Sequence, residues 1–465
     1  MLVQAPPTSG GHAPTRRQVI TGGMIAVTGV AMRPLPVLAD ASDEVSHIAE
    51  VAPYRVGEWL PSDQTILDKW LGAIIKRTDT QEKALHPVIA DFQDLIENDA
   101  EIFMLFNQMF EQIPKKPPYN KDPSGKPQVR DYRHMLQLLN TIMTHAPEFN
   151  QSGLVGCPIN TIFDWSMGTA AGFAAFLNER VNGQLKKVLN GWGGFLSSSD
   201  STYVLDEDPH RGWFGTDAQK VMPNFDKEFK CDPNQPHHGF KSWDDFFTRE
   251  LRPGVRPVAL PDDDAVIVNA CESAPYRIAR HVKQHDRFWI KSQPYSIGHM
   301  LANDTLAPMF AGGTIYQAYL SPLSYHRWHS PVSGTVTKAY VKDGTYYSEA
   351  PSEGFDPAGP NDSQGYITEV ATRALIFIEA DNPDIGLMCV LPVGMAEVST
   401  CQITVHEGQH VSKGDQIGMF HFGGSTHCLI FRPGVNLEFD HHGQKPGLHS
   451  KNIHVNSRIA TVIRE

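Results

Sequence analysis

The apolar pattern of the 465-residue sequence changes near residue 240, and this change constrains the fold more than any other feature. Between about residues 60 and 195, apolar side chains recur at the spacing of helices. From about residue 240 onward, short β-rich runs, among them AVIVNA, ALIFIEA and CQITVHEG, alternate with Gly, Pro, Asp and Asn. This order predicts an α+β fold, in which an N-terminal helical region (residues 42–235) packs on a mostly antiparallel β domain (residues 236–465).

Two stretches carry the helical pattern, and one long insertion interrupts the β pattern. Asp99 is expected to cap a helix whose apolar stripe runs from Ile102 to Ile113. A second stripe runs from Phe173 to Leu189. Residues 343–366 form an insertion too long for an ordinary turn, and its four aromatic residues favour a lid over a disordered segment.

Residues 1–41 have the pattern of a twin-arginine export signal. Arg16 and Arg17 precede a short, glycine-containing apolar segment, and Ala39 and Ala41 offer small residues for cleavage. An ordinary N-terminal tail is the alternative. We therefore expect export to a periplasm; without export, the protein would be cytoplasmic.

Charge and cysteine content bear on several classes of function. The formal net charge of −12 argues against a nucleic-acid partner, because phosphate binding needs a basic face. No run of eighteen apolar residues occurs, so the sequence predicts no membrane-spanning helix. None of the six cysteines forms a CxxC pair, which argues against structural zinc and leaves the disulfide state open.

Three stretches contain residues suited to chemistry: GGST around Ser425, YHRWH with His326 and His329, and ACES with Glu272. The two histidines lack a clear third ligand nearby, so the sequence predicts no metal site. The alternative to a catalytic role for His326 and His329 is that both are ordinary packed histidines. GGST lacks the second glycine of the GxSxG hydrolase motif. The stretch SPVSGTVTKAYVKDG has the rhythm of a biotin or lipoyl carrier domain, but it presents no lysine cleanly at a hairpin tip.

The two glycines before Ser425 indicate a different reaction. Glycine inside a strand marks a bend or a close backbone approach, and Gly424 leaves its carbonyl carbon unshielded. The Ser425 hydroxyl could attack that carbonyl and convert the amide into an ester by an N-to-O acyl shift. Elimination and hydrolysis would then cut the chain between Gly424 and Ser425 and leave a pyruvoyl group on the new terminus. That ketone would form a Schiff base with a substrate amine and draw electrons away during decarboxylation.

These motifs resemble those of the phosphatidylserine decarboxylase family of pyruvoyl enzymes. GGST, YHRWHSPVSGTV, DDFFTRELRPGVRP and GQHVSKGDQIGMFHFGGST occur in the expected order between about residues 240 and 430. In the helical half, LIENDAEIFMLFNQMFEQI and GFAAFLNERVNGQLKKVLNGWGGFLSSSDS are similar to segments of the pyridoxal-independent fungal L-tryptophan decarboxylases of the same family. The resemblance implies a carboxy-lyase made as a zymogen, with residues 236–465 as the catalytic domain and a pyruvoyl cofactor formed from Ser425.

The resemblance also assigns roles to individual residues. It implies autocatalytic cleavage between Gly424 and Ser425, with His329 as the base that activates the serine and His326 acting in decarboxylation as a proton donor. Where the family usually has an Asp to orient the base, this sequence has ACES, and Glu272 is the expected substitute. A purely structural acid is the alternative for Glu272.

Two substrates fit the resemblance. The preferred one is a free aromatic L-amino acid, tryptophan-like, so that the partners are a small amine-bearing substrate and the two cleaved fragments of the chain itself. The alternative is phosphatidylserine, which would be converted to phosphatidylethanolamine. It would need membrane contact, and no basic amphipathic helix supports that. An inactive binding protein is a third interpretation, against which the intact Ser425, His326 and His329 argue.

Overall fold

The computed structural model describes residues 64–80, 84–113, 129–149, 157–286, 295–321, 323–350, 363–397, 400–422, 425–447 and 449–464. The predicted signal segment lies outside these ranges. The helices of the first half are α1 (Gln64–Asp79), α2 (Pro87–Asn98), α3 (Ala100–Glu111), α4 (Tyr132–Ile142), α5 (Pro158–Met167), α6 (Ala170–Leu177) and α7 (Glu179–Leu196). Shorter helices follow: α8 (Thr216–Val221), α9 (Phe225–Glu228), α10 (Trp243–Phe247), α11 (Ile297–Met300) and α12 (Gln364–Val370).

The helices of the first half pack through the apolar stripes that the sequence predicts. The Asp99 carboxylate accepts a hydrogen bond from the Ile102 N–H at 3.0 Å and so caps α3. The stripe of α3 is buried as far as Phe110. The second stripe is divided between two helices, because Asn178 ends α6 and its side chain caps α7. Both predicted stripes therefore contribute to the core of the helical region.

The second half is built from strands. They are β1 (Val266–Val268), β2 (Ala274–Arg280), β3 (Thr314–Leu320), β4 (Arg327–His329), β5 (Gly334–Lys342), β6 (Arg373–Ala380), β7 (Leu387–Gly394), β8 (Thr400–Ile403), β9 (His410–Val411), β10 (Gln416–His421), β11 (Ser425–Phe431), β12 (Leu437–Phe439) and β13 (Arg458–Val462). A seven-stranded sheet has the order β2–β3–β11–β7–β6–β5–β9, and two three-stranded sheets have the orders β1–β13–β12 and β4–β10–β8. Every pair of neighbouring strands is antiparallel, which together with the helices confirms the predicted α+β fold.

Strands β3, β11 and β7 lie side by side in the large sheet, and every residue in them is buried. A strand covered on both faces reads as a continuous apolar run rather than an alternation, and LMCVLPVG of β7 is such a run. The first residue of β11 is Ser425. The most deeply buried part of the sheet therefore holds the serine of the GGST motif.

The described helices and sheets belong to one compact unit, and aromatic pairs join them. The rings of Phe163 in α5 and Tyr347 meet edge to face at 4.9 Å between centroids. Tyr347 belongs to the insertion predicted as a lid. Of its described residues, 345–350 and 363–366 are buried, so this part is core packing rather than an exposed lid. The boundary between residues 235 and 236 stays a prediction.

None of the helices in the described ranges combines the length and the apolar character that crossing a bilayer requires.

Candidate active site

Ser425 is held in place by backbone pairing on both sides. It lies opposite Leu320, the last residue of β3, and opposite Gly394, the last residue of β7. The residue is fully buried, and its Oγ makes no hydrogen bond to a described residue. Buried hydroxyls are normally hydrogen-bonded, so an unpartnered one is a candidate for chemistry. Gly424, on the other side of the predicted cleavage point, lies outside the described residues.

Two non-glycine residues near Ser425 have left-handed backbone conformations. Phe422 and Ala396 each have φ 58°. Phe422 comes three residues before Ser425, and Ala396 follows Gly394 by two residues. Such conformations cost on the order of 1–3 kcal/mol each and cluster at functional sites. The backbone is therefore strained on two of the segments that reach the Ser425 end of β11.

Helices α7 and α10 pack against the side chain of Phe422. Its ring packs against Trp192 of α7 at 6.1 Å and against Trp243 of α10 at 6.4 Å between centroids. Gly193 of α7 leaves the space that the ring fills, since a Cβ atom there would lie 2.8 Å from the ring. The segment leading into GGST thus depends on packing from residues more than 170 positions away in the sequence.

The ring of His329, at the end of β4, is oriented by two hydrogen bonds. Its Nδ1 lies 2.7 Å from the carbonyl oxygen of Gly414, and its Nε2 lies 2.9 Å from the Tyr325 hydroxyl oxygen. A carbonyl only accepts, so Nδ1 carries the proton and Nε2 accepts the Tyr325 O–H. Burial lowers the pKa of His329; the Gly414 carbonyl partly offsets this effect, and the charge of Arg327 adds to it. A neutral ring with its lone pair on Nε2 is the form that a general base requires.

His326 lies in a dry, aromatic environment. Its ring is fully buried and stacks on Phe247 at 4.0 Å between centroids, and neither ring nitrogen makes a well-formed hydrogen bond to a described residue. Burial and then the charge of Arg249 lower the pKa of His326 well below its ordinary range, which the Ser324 carbonyl offsets only in part. The ring is therefore neutral at physiological pH. Its own carbonyl accepts a hydrogen bond from the Phe420 N–H at 3.0 Å, which ties His326 to the strand leading toward Ser425.

Arg249, within the DDFFTRELRPGVRP motif, holds the segment that leads into the two histidines. Its Nη2 donates to the carbonyl oxygens of Leu323 at 2.7 Å and Ser324 at 3.0 Å. The guanidinium is buried and lies 4.5 Å from the centre of the Phe229 ring. Burial lowers the pKa of Arg249 to about 10, so the group stays charged at neutral pH. The motif was visible in the sequence, but nothing in it indicated this long-range role.

Glu272 is close enough to affect His329 but is not its hydrogen-bond partner. Its carboxylate accepts from His454 Nδ1 at 2.7 Å and from Arg256 Nη2 at 2.9 Å. Although burial opposes the effect, these two hydrogen bonds lower the pKa of Glu272, and its negative charge in turn raises that of His329. The carbonyl of Gly414 makes the orienting contact that was expected from Glu272. A part for Glu272 in catalysis stays a prediction.

The residues present fit a pyruvoyl precursor. A pyruvoyl group forms from a serine at its own cleaved peptide bond, and Ser425 offers a buried, unpartnered Oγ at the first residue of a strand. Within the described ranges, no cluster of three or more His, Cys, Asp or Glu side chains is arranged to hold a metal ion. The six cysteines all lie in the described ranges, and no disulfide joins any two of them.

Comparison with known proteins identifies the family. A family model for phosphatidylserine decarboxylase matches residues 243–459, and a second model of the same description matches residues 86–222. The decarboxylase iboD of Amanita muscaria is 44% identical over 325 residues, which cover 66% of this chain and 91% of that protein. The L-tryptophan decarboxylase of Psilocybe cubensis is 37% identical over 419 residues, which cover 85% of this chain and 92% of that protein. The phosphatidylserine decarboxylase proenzyme 3 of Schizosaccharomyces pombe is 32% identical over 221 residues, 46% of this chain and 22% of that protein.

The chain belongs to the phosphatidylserine decarboxylase family and is a decarboxylase. Its similarity to the Amanita and Psilocybe proteins covers nearly their whole length, whereas its similarity to the Schizosaccharomyces protein covers less than a quarter of that protein. The resemblance inferred from the motifs is therefore confirmed at the level of the family.

Proposed function

We propose that this chain is a pyruvoyl-dependent decarboxylase that cuts itself between Gly424 and Ser425 and acts on a free aromatic L-amino acid of the tryptophan type. The observation that carries the proposal is the fully buried Ser425, whose Oγ has no hydrogen-bond partner among the described residues. Similarity over almost the full length of proteins named L-tryptophan decarboxylase supports the choice of substrate.

In the proposed maturation, Ser425 Oγ attacks the carbonyl carbon of Gly424 while His329 Nε2 takes up the hydroxyl proton. The Gly414 carbonyl keeps the other ring nitrogen protonated, so that Nε2 is the basic one. In the uncut chain, the Tyr325 O–H occupies this lone pair. Tyr325 must therefore release this hydrogen bond before Nε2 takes the Ser425 proton directly, or it must relay that proton, giving its own to Nε2 as it takes the one from Ser425.

A pyruvoyl group at residue 425 supplies an electron sink for the loss of carbon dioxide from an amine-bearing acid. This chain flanks that position with buried residues, namely Leu320 of β3 and Gly394 of β7, which pair with it on either side. Exclusion of water from such a site strengthens every electrostatic interaction within it.

The proposed cut leaves residues 1–424 and 425–465 as separate chains that stay together. Strand β11 of the smaller chain pairs along its whole length with β3 and β7 of the larger one. Strand β13 of the smaller chain also pairs with β1 of the larger one. Because these strands are largely buried, separating the fragments would expose core side chains and unpaired backbone groups. The proposed active form is therefore a two-chain unit.

Phosphatidylserine is the second candidate substrate, and the family model that matches residues 243–459 supports it. Only this substrate would require contact with a membrane. The similarity favours a free aromatic amino acid over phosphatidylserine, because the Psilocybe relatives match both halves of the chain and the Schizosaccharomyces relative matches 46% of it.

The test is to incubate the purified protein, without added pyridoxal phosphate, with L-tryptophan, with L-phenylalanine and with phosphatidylserine vesicles. Mass spectrometry would detect the amine products. We expect tryptamine, and no phosphatidylethanolamine. Formation of phosphatidylethanolamine without any amine from the free amino acids would overturn the proposed substrate.

Three variants serve as controls for the chemistry. Ser425→Ala should give one uncut, inactive chain. His329→Ala should also remain uncut, because the base is missing. His326→Ala is expected to be cut and yet inactive, which would separate maturation from turnover. An active Ser425→Ala protein would refute the cofactor assignment.

A further inference from the structure

Decarboxylation of an amino acid consumes one proton, and the histidine expected to deliver it is neutral. When carbon dioxide leaves a zwitterionic amino acid, the electron pair of the broken C–C bond must take up H⁺ at the α-carbon to give the amine. His326 was the candidate donor. Its burial and the charge of Arg249 lower its pKa well below 6.5, so it does not carry a spare proton at physiological pH. A neutral imidazole is a very weak acid, and another residue is needed.

Glu397 lies at the end of the sheet where Ser425 lies. Strand β7 ends at Gly394, directly opposite Ser425, and Glu397 follows three residues later. Three residues span at most about 11 Å, so the Cα atom of Glu397 lies within about 11 Å of that of Gly394, the residue paired with Ser425. The intervening Ala396, in its left-handed conformation, turns the chain there. Glu397 itself is fully buried.

The hydrogen bonds of Glu397 distinguish its two carboxyl oxygens. Oε1 accepts from the backbone N–H groups of Ile159 at 2.5 Å and Asn160 at 2.8 Å, in the first turn of α5. Oε2 is buried and makes no hydrogen bond to a described residue. Because N–H groups only donate, the oxygen that receives them cannot bear the proton of the neutral acid. In the protonated form, the proton is therefore on Oε2.

The groups around Glu397 favour that protonated form. Burial raises the pKa of Glu397 to about 8, and the hydrogen bonds of Asn160, Cys157 and Ile159 offset this only in part. Among the titratable groups, the Cys157 thiol hydrogen-bonds to it and the Tyr347 phenol lies close enough for its pKa to be raised by the Glu397 charge. Like Oε2, the hydroxyl of Tyr347 is buried and makes no hydrogen bond to a described residue. Glu397 thus carries its proton at neutral pH with nothing to receive it.

We propose that Glu397 is the catalytic acid of the reaction and donates its Oε2 proton to the substrate α-carbon as carbon dioxide leaves. The C–C bond to the carboxylate breaks, its electron pair forms the new C–H bond, and Glu397 becomes a carboxylate. A proton from water restores the acid before the next turnover. This inference rests on the proposed function, since it needs an amine-bearing acid as substrate at Ser425.

The test compares Glu397→Gln with Asp164→Asn in the full-length protein. Gln keeps a carbonyl oxygen for the two N–H donors but has no acidic proton. Asp164 is the matched control, because it lies in α5, whose first turn binds Glu397, is also buried, and has its pKa raised by burial to about 8. Both variants are expected to cut themselves normally, which the intact mass reports independently of turnover. An uncut or inactive wild-type protein would instead count against the proposed function itself.

For Glu397→Gln, we expect kcat to fall by about 100-fold or more, the usual contribution of general acid catalysis, with a change in KM below about threefold. The wild-type kcat should decline as pH rises through about 8, and this decline should be absent from the residual activity of the variant. Asp164→Asn should keep both kcat and the decline. An equal loss in Asp164→Asn, or an unchanged kcat in Glu397→Gln, would overturn the proposal. So would a loss seen with L-tryptophan but not with L-phenylalanine, because Glu397 would then recognise the ring N–H.

Infrared spectroscopy of the uncut Ser425→Ala protein tests the proton on Glu397 without any activity. At pH 7 we expect a protonated-carboxyl band that persists with Asp164→Asn and diminishes with Glu397→Gln. If Glu397→Gln does not fold, the absence of any such band from the first two proteins still contradicts the proposal. Because burial also raises the pKa of Glu369, only the part of the band that Glu397→Gln removes supports it.

Discussion

Replacing His427 tests the premise that burial fixes the protonation states around Ser425. His427 lies two residues after Ser425 in β11, is fully buried, and makes no well-formed ring hydrogen bond to a described residue. Burial lowers the pKa of His427 to about 3, whereas an unfolded histidine titrates near 6.5. Between these values the unfolded chain binds the proton and the folded chain does not. The contribution of the neutral, buried His427 to the free energy of unfolding is therefore fully present above pH 6.5 and is lost as the pH falls below that value.

The size of the effect follows from these two pKa values. Between pH 7.5 and pH 5.5, His427 alone removes about 1.4 kcal/mol from the free energy of unfolding, since one pKa unit corresponds to 1.36 kcal/mol. Other buried histidines such as His326 also make the protein less stable as the pH falls. The effect of His427 is therefore measured as a difference between two proteins that differ only at residue 427. Urea unfolding of Ser425→Ala and of Ser425→Ala/His427→Leu at both pH values should show a loss that is smaller by about 1.4 kcal/mol in the double variant.

The matched control is His406→Gln in the same Ser425→Ala background, because His406 is exposed. It should leave the pH dependence unchanged. If Ser425→Ala/His427→Leu loses as much stability between the two pH values as Ser425→Ala does, burial does not hold His427 neutral, and the same inference for His326 fails with it.

Three further predictions concern the segments around the site. Gly193→Val should slow self-cleavage, because the valine side chain would displace the Phe422 ring. Gel analysis of the cut and uncut chain over time measures the rate. Gly194→Val is the control, because a Cβ atom at that position meets no neighbour within 4 Å. Arg249→Met should destabilise the Ser425→Ala protein by about 2 kcal/mol or more in urea unfolding, because the Leu323 and Ser324 carbonyls lose their donor; a loss below about 0.5 kcal/mol would show that water or another group satisfies them. The rate of self-cleavage should be constant above pH 6.5 and fall at lower pH, since protonation of His329, whose pKa burial lowers, removes the base; a rate that rises as the pH falls would exclude that base.

The sequence predicted the parts of this fold that rest on local patterns. The cap at Asp99, the apolar stripe after it and the change from helices to strands were all legible, because each depends on residues close in the chain. The division of the second stripe was not predicted, because Asn178 was read as part of a continuous helical pattern rather than as a cap. The insertion at 343–366 was read as a lid from its length, yet its described part is buried by packing against residues distant in sequence, such as Phe163.

The candidate site was predictable only where a motif carried it. Ser425, His326 and His329 stood in recognisable stretches, but the contacts that determine their chemistry come from elsewhere in the chain. The partner of His329 Nδ1 is a backbone carbonyl of Gly414, which no side-chain pattern reveals. Glu272 was expected to replace the acid that orients His329, but its carboxylate accepts hydrogen bonds from Arg256 and His454 instead. Glu397 lay in an apolar run, and only the register of β7 with β11 brings it toward Ser425.

The central claim is that the chain converts Ser425 into its own cofactor, and the intact mass of the purified, denatured protein tests it most directly. The account predicts two fragments that meet between Gly424 and Ser425, the smaller one carrying a pyruvoyl group in place of the serine amino terminus. A single full-length chain with an unmodified Ser425 in a preparation that decarboxylates amino acids would contradict it.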